Sequence, residues 1–259
     1  MRKALVAGNW KMHGRIDQNL KLIEALIPAL SNLKEAVDIV VCPPLVYLSQ
    51  VNELIANTSI ALGAQDVSRF DRDGAHTGDC SADMLADVGA SYVLVGHSER
   101  RSEQNDTDER VSQKLICLLK AGLKPILCVG ETLEQREAGQ VENVIAAQIK
   151  LAIAGISVDD LKELLIAYEP VWAIGTGKTA SPEQAQEVHA YIRELLSVRF
   201  GSVFAEQVTI LYGGSVKAAN AAELFSQPDI DGGLIGGAAL ITEEFTAICS
   251  AAADSPKNG

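Results

Sequence analysis

A lysine, a histidine and two glutamates stand just after short apolar runs of this chain. Lys11 closes Gly8-Asn9-Trp10-Lys11, His97 and Glu99 lie in Gly96-His97-Ser98-Glu99-Arg100-Arg101, and Glu169 follows Tyr168 and precedes Pro170. A carboxylate, an imidazole and a fixed cation are the base, electrophile and charge stabiliser that proton abstraction beside a carbonyl needs. Two more apolar runs end in glycine turns, Tyr212-Gly213-Gly214-Ser215 and Gly236-Gly237. Bare backbone N–H groups in such turns, aided by a helix dipole, bind phosphate. Each residue also has a plain reading. A strand-end His is often structural, a Glu before Pro ends strands, Lys11 fits a solvated loop, and glycine pairs make tight turns. The plain readings lose ground only if all these turns share one end of one fold.

The elements that would place them there alternate along the chain. Apolar runs rich in Val, Ile and Leu occur at 4–7, 37–42, 60–64, 92–95, 125–129, 164–168, 208–212 and 233–235. They are nearly continuous rather than alternating, as parallel strands covered on both faces are. Helical periodicity fills the gaps. Ile16, Leu20, Ile23, Leu26, Ile27 and Leu30 form one face, with Pro28 expected to kink or end that helix. Val111, Leu115, Leu118 and Leu119 form another, stopped by Gly122. Ser181-Pro182-Glu183-Gln184 reads as a capping box opening a helix with Val188, Tyr191, Ile192, Leu195 and Leu196 inward. A weaker helical pattern follows Leu240. Eight units of about 32 residues suit βαβ repeats. An open doubly wound sheet alternates too. Eight even units favour α/β architecture of the (β/α)8 barrel type, whose function sits where strands end. The expected organisation is one barrel domain over 1–252 and a polar, frayed tail at 253–259.

Composition narrows the classes. The chain has 259 residues, 47% hydrophobic and 22% charged, which is ordinary for a globular protein. Its 22 Lys and Arg against 34 Asp and Glu give a net charge of -12. That balance lacks the broad positive field used to bind nucleic acid or anionic membranes. No signal-peptide core or membrane-length apolar stretch is read, and Asn57-Thr58-Ser59 and Asn105-Asp106-Thr107 are chance glycosylation matches. The five scattered cysteines fit reduced thiols. A soluble cytoplasmic protein is expected, with no metal site.

Several motifs are set aside on physical grounds. Gly177-Lys178-Thr179 resembles the end of a phosphate-binding P-loop, but Trp172 occupies the position of its first glycine. Gly175-x-Gly177-x-x-Ala180 lacks the acidic partner of a dinucleotide fingerprint. The segment from Pro170 to Ala180 reads better as a lid, with an apolar tip, flexible glycines and fixed ends. Cys128 within an apolar strand reads as core. His13, His76 and His189 read as structural.

Asn9-Trp10-Lys11, the Gly96–Arg101 motif and Ala167-Tyr168-Glu169-Pro170-Val171-Trp172-Ala173-Ile174-Gly175-Thr176-Gly177-Lys178 resemble the triosephosphate isomerase family. So do Leu211-Tyr212-Gly213-Gly214-Ser215-Val216 and Asp231-Gly232-Gly233-Leu234-Ile235-Gly236-Gly237-Ala238, and the resemblance runs from about residue 3 to 250. It implies interconversion of dihydroxyacetone phosphate and D-glyceraldehyde 3-phosphate without metal or organic cofactor, in glycolysis and gluconeogenesis. By the same resemblance Glu169 is the base and His97 the neutral electrophile. Lys11 stabilises the enediolate and phosphate charge, helped by Asn9, and Glu99 organises Lys11 and His97. Gly175, Ser215, Gly236 and Gly237 hold the phosphate, while Tyr212 and Ser215 hold the closed lid. The family's homodimer implies that loop 65–80 inserts beside a neighbour's site, with Thr77 reaching its Lys11 and Glu99. His76, Asp79 and Ser102-Glu103-Gln104-Asn105 depart from the usual pattern and bear on dimer affinity. Two other readings are weaker. An aldolase-like lyase would need a Schiff-base lysine inside the barrel, where the strand interiors offer none, and Lys11 beside Asn9 fits that role poorly. A non-enzymatic metabolite-binding barrel would need a damaged base, electrophile or lid.

Overall fold

The apolar runs pair edge to edge in chain order. In a computed structural model, which describes residues 2–174 and 179–255, they form β1 (Ala4–Asn9), β2 (Val37–Cys42), β3 (Ile60–Ala64) and β4 (Tyr92–Val95). The ring continues with β5 (Lys124–Val129), β6 (Leu165–Tyr168), β7 (Ile210–Tyr212) and β8 (Gly232–Ile235). β8 pairs back onto β1, so the sheet closes, and an open doubly wound sheet is excluded. Every pairing is parallel, but the ladders differ in length. β1 and β2 pair from Ala4–Val37 to Asn9–Cys42, whereas β7 and β8 meet only at Tyr212–Gly233.

Side chains alternate across each strand, which accounts for burial on both faces. Leu5 and Ala7 of β1, Leu94 of β4, Ile126 and Cys128 of β5 and Ala167 of β6 fill the barrel interior. Their neighbours Val6, Val93, Val95, Leu127 and Ile166 face outward into a second core shared with the helices. The covering helices are α1 (Ile16–Leu30), α2 (Leu48–Ile55), α3 (Ala82–Asp87), α4 (Ser98–Glu103), α5 (Asp108–Lys120) and α6 (Leu133–Glu137). After them come α7 (Val141–Ala152), α8 (Pro182–Phe200), α9 (Ser202–Ala205), α10 (Ala218–Phe225) and α11 (Thr242–Ala253).

Two helical expectations need correction. Pro28 does not end α1, which runs on to Leu30. The missing N–H and the ring fall on the solvent side of the last turn, where water can satisfy the carbonyl released. The inward stripe is Asn19, Ile23, Leu26 and Leu30, and Ile16 is exposed at the first turn. Elsewhere the local signals hold. Gln184 and Ser181 form the reciprocal capping box, and Gly122 follows α5 with φ +71. Ser255, in the segment read as a polar tail, is buried and its hydroxyl donates to the Phe225 carbonyl at 3.0 Å. No helix among the described residues is long and apolar enough to cross a membrane.

Candidate active site

Because all eight strands run the same way, their C-terminal ends form one rim. Asn9 ends β1, His97 caps the N-terminus of α4 just after β4, and Glu169 follows β6. With Lys11, Ser215, Gly236 and Gly237 they line a single cavity of about 300 Å³. A larger cavity, about 700 Å³, opens at the opposite end of the barrel. There Lys3 pairs with Asp38, Lys124 with Glu163 and Arg2 with Glu206, and no base faces an electrophile. The smaller cavity is therefore the candidate active site.

Lys11 occupies the left-handed region at φ +51, which a non-glycine residue adopts only under local constraint. The constraint is visible. Its N–H donates to the Asn9 side-chain oxygen at 3.0 Å, and its carbonyl accepts from Gln65 at 2.8 Å. Gln65 also donates to the Cys42 carbonyl at 2.9 Å, so the residue after β3 pins the loop after β1. The Lys11 ammonium ends 2.5 Å from Glu99 Oε1, while Glu99 Oε2 lies 3.6 Å from His97 Nδ1. Glu99 thus touches both Lys11 and His97.

Glu169 is buried, with one carboxylate oxygen accepting the Ser98 N–H at 2.9 Å. Its other oxygen, Oε1, lies 2.9 Å from His97 Nε2 without an aligned hydrogen bond. The Glu99 N–H donates to His97 Nδ1 at 3.3 Å, so a neutral ring carries its proton on Nε2, facing Glu169. Burial is the largest single influence and opposes a charge on His97, but the Glu169 and Glu99 carboxylates together outweigh it and lift the imidazole above its ordinary value. A raised native pKa adds stability that is complete below the unfolded value and fades as pH climbs through the native one. The gap in melting temperature between the protein and its His97→Gln variant should therefore be full in acid and narrow as pH climbs past the ordinary imidazole value. A gap independent of pH would remove the coupling.

The lid's entry is packed. Val171–Ala173 form a 3-10 turn in which Ala173 is fully buried and Trp172 half-buried. Gly175, the expected tip and the far anchor at Lys178 fall outside the described residues. Tyr212 is buried against Gly214, and burial lifts its hydroxyl pKa to about 12. Thr77 is exposed on the loop after β3 and does not line the cavity. His189 is buried beside Tyr168 and Tyr212, and Cys128 is a buried thiol pushed well above its ordinary pKa.

Glu131 was not foreseen. It is fully buried after β5, and its Oε1 accepts from Trp172 Nε1 at 2.8 Å, Tyr168 hydroxyl at 3.1 Å and Arg136 at 3.1 Å. Arg136 also stacks on the Trp172 ring. Glu131 follows its strand as Glu169 does, so a search of every strand end would have found it. Gln65 carries the same signal after β3.

Comparison with known proteins gives the family. The family model described as Triosephosphate isomerase matches residues 4–252. The chain belongs to the triosephosphate isomerase family. A relative named triosephosphate isomerase from Thiobacillus denitrificans is 56% identical over 253 residues, 98% of this chain and 100% of that protein. Those from Hydrogenovibrio crunogenus and Herminiimonas arsenicoxydans are 52% and 53% identical, covering 98% and 97% of this chain and 100% of each relative. Membership in the triosephosphate isomerase family thus extends over nearly the whole barrel.

Proposed function

We propose that this chain interconverts dihydroxyacetone phosphate and D-glyceraldehyde 3-phosphate, an isomerisation of glycolysis and gluconeogenesis, through an enediolate. Glu169 moves the proton between C1 and C2. Neutral His97 donates from Nε2 to the carbonyl oxygen and shuttles protons between the two oxygens. Lys11 stabilises the negative charge of the enediolate and phosphate, Asn9 supports the same oxygens, and Glu99 orients Lys11 and His97. Backbone N–H groups of Gly175, Ser215, Gly236 and Gly237 grip the phosphate, and Tyr212 with Ser215 holds the closed lid. The observation carrying this reading is the buried Glu169 carboxylate 2.9 Å from His97 Nε2, in the cavity that Lys11 also lines. A substrate entering there would part Glu169 from His97 and leave both free to act. The test is turnover of glyceraldehyde 3-phosphate, coupled to NADH oxidation through glycerol-3-phosphate dehydrogenase. Fast turnover, abolished by Glu169→Gln, supports both reaction and base; none from folded protein overturns them.

The functional unit is a homodimer in the cytoplasm, each chain contributing the barrel of 1–252. Met12, 95% exposed, lines the opening with Lys11, Gln65 and Glu99, and Val46, 82% exposed, follows Leu45 of the same lining. Loop 65–80 of a second copy, led by Thr77, covers that opening. Sedimentation at micromolar protein should give twice the chain mass. Val46→Glu, which buries an unpaired charge, should weaken association at least ~10-fold. A monomer at every concentration overturns the assembly.

A further inference from the structure

The loop after β5 is held from behind by a residue remote from substrate. Gln148, half-buried on α7, makes two hydrogen bonds to one peptide unit's worth of backbone. Its side-chain oxygen accepts the Gly130 N–H at 2.8 Å, and its side-chain NH2 donates to the Gly130 carbonyl at 3.1 Å. Gly130 in turn lies flat against the active strand. A Cβ there would fall 1.7 Å from the Glu169 carbonyl oxygen, so no side chain fits between them. On one side of that contact the Glu169 N–H donates to the Val129 carbonyl at 2.7 Å. On the other, the Glu131 carbonyl accepts the Val171 N–H at 3.1 Å, where the lid begins.

We propose that Gln148 is a positioning residue for both the catalytic carboxylate and the lid hinge. It fixes residues 129–131, and those backbone groups fix Glu169 and Val171. The inference rests on Glu169 being the base. An amide suits this task because it offers one acceptor and one donor side by side, matching the N–H and C=O of a single residue. No ionised or apolar side chain of that length offers both. Loss of the clamp would let the 129–131 backbone shift, and small displacements of a proton-transfer group cost rate steeply.

Two variants and two readouts test this. Gln148→Met keeps the length and removes both hydrogen bonds; kcat should fall about 10-fold with KM changed less than about twofold. Gln148→Glu should show a similar loss at neutral pH, where the carboxylate faces the Gly130 carbonyl without a donor. Protonation restores one donor and one acceptor, so its kcat relative to the parent should recover as pH falls, while the Gln148→Met ratio stays flat. A side chain that merely adds stability would not produce that split. Independently of turnover, amide exchange at Glu169 and Val171 should quicken in both variants at neutral pH. A kcat within twofold of the parent, or unchanged exchange at both amides, overturns the positioning role. Failure of the base reading is distinguished because it appears in the parent protein and in Glu169→Asp.

Discussion

Replacing Glu169 by Asp should lower kcat at least ~100-fold while the melting temperature and far-ultraviolet dichroism stay near those of the parent. The substitution withdraws the carboxylate by one methylene, on the order of 1 Å, and the surroundings forbid compensation. The Glu169 N–H is tied to the Val129 carbonyl, and its own carbonyl rests against Gly130. Gly213 packs so near that a Cβ there would approach the Glu169 Cγ to 2.9 Å. The backbone therefore cannot advance to return the shortened carboxylate to the reacting carbon. Steady-state rates in both directions decide the matter, and near-normal turnover would remove Glu169 from the base role.

Lys11→Met should cost about 1000-fold in kcat/KM. The side chain keeps its length and loses its charge, so the cavity keeps its shape while the developing enediolate loses its fixed cation. In a chain of net charge -12 the remaining field is hostile to a phosphorylated, increasingly anionic substrate. The loop should keep its form, because Asn9 and Gln65 bind the Lys11 backbone rather than its side chain. A loss under tenfold in a folded variant would assign the charge stabilisation elsewhere. Lys217, which also lines the cavity, is the next cation to examine.

The barrel was legible because its strands are short, apolar and evenly spaced. β2, β3 and β4 fall on the residues that periodicity marks, whereas β1 runs on to Asn9 and β7 starts only at Ile210. Ends of that kind depend on a neighbouring strand, not on local residue type. The buried face of α8 was only half visible. His189 and Arg193 lie on it, and Arg193 is buried because Asp229 at 2.6 Å and Asp231 at 2.8 Å await it across the fold. Polar residues with remote partners carry no periodic signal. The strand-end positions of Asn9, Lys11, His97 and Glu169 are legible in the sequence, and Glu131 and Gln65 share that signal, whereas Gln148, inside a helix and bonded to a remote glycine, carries none.

The unequal ladders of the ring divide it mechanically. His97 and Glu169 rise from β4 and β6, which flank β5 with paired positions from Tyr92–Lys124 to Val95–Leu127 and from Ile126–Leu165 to Val129–Tyr168. The glycine turns rise from β7 and β8, joined by one paired position and by the Asp231 carboxylate, which accepts the Ile210 N–H at 2.9 Å. The two side chains that meet across the cavity thus hang on a pair of four-rung ladders sharing β5, while the turns at its edge hang on a single rung between β7 and β8.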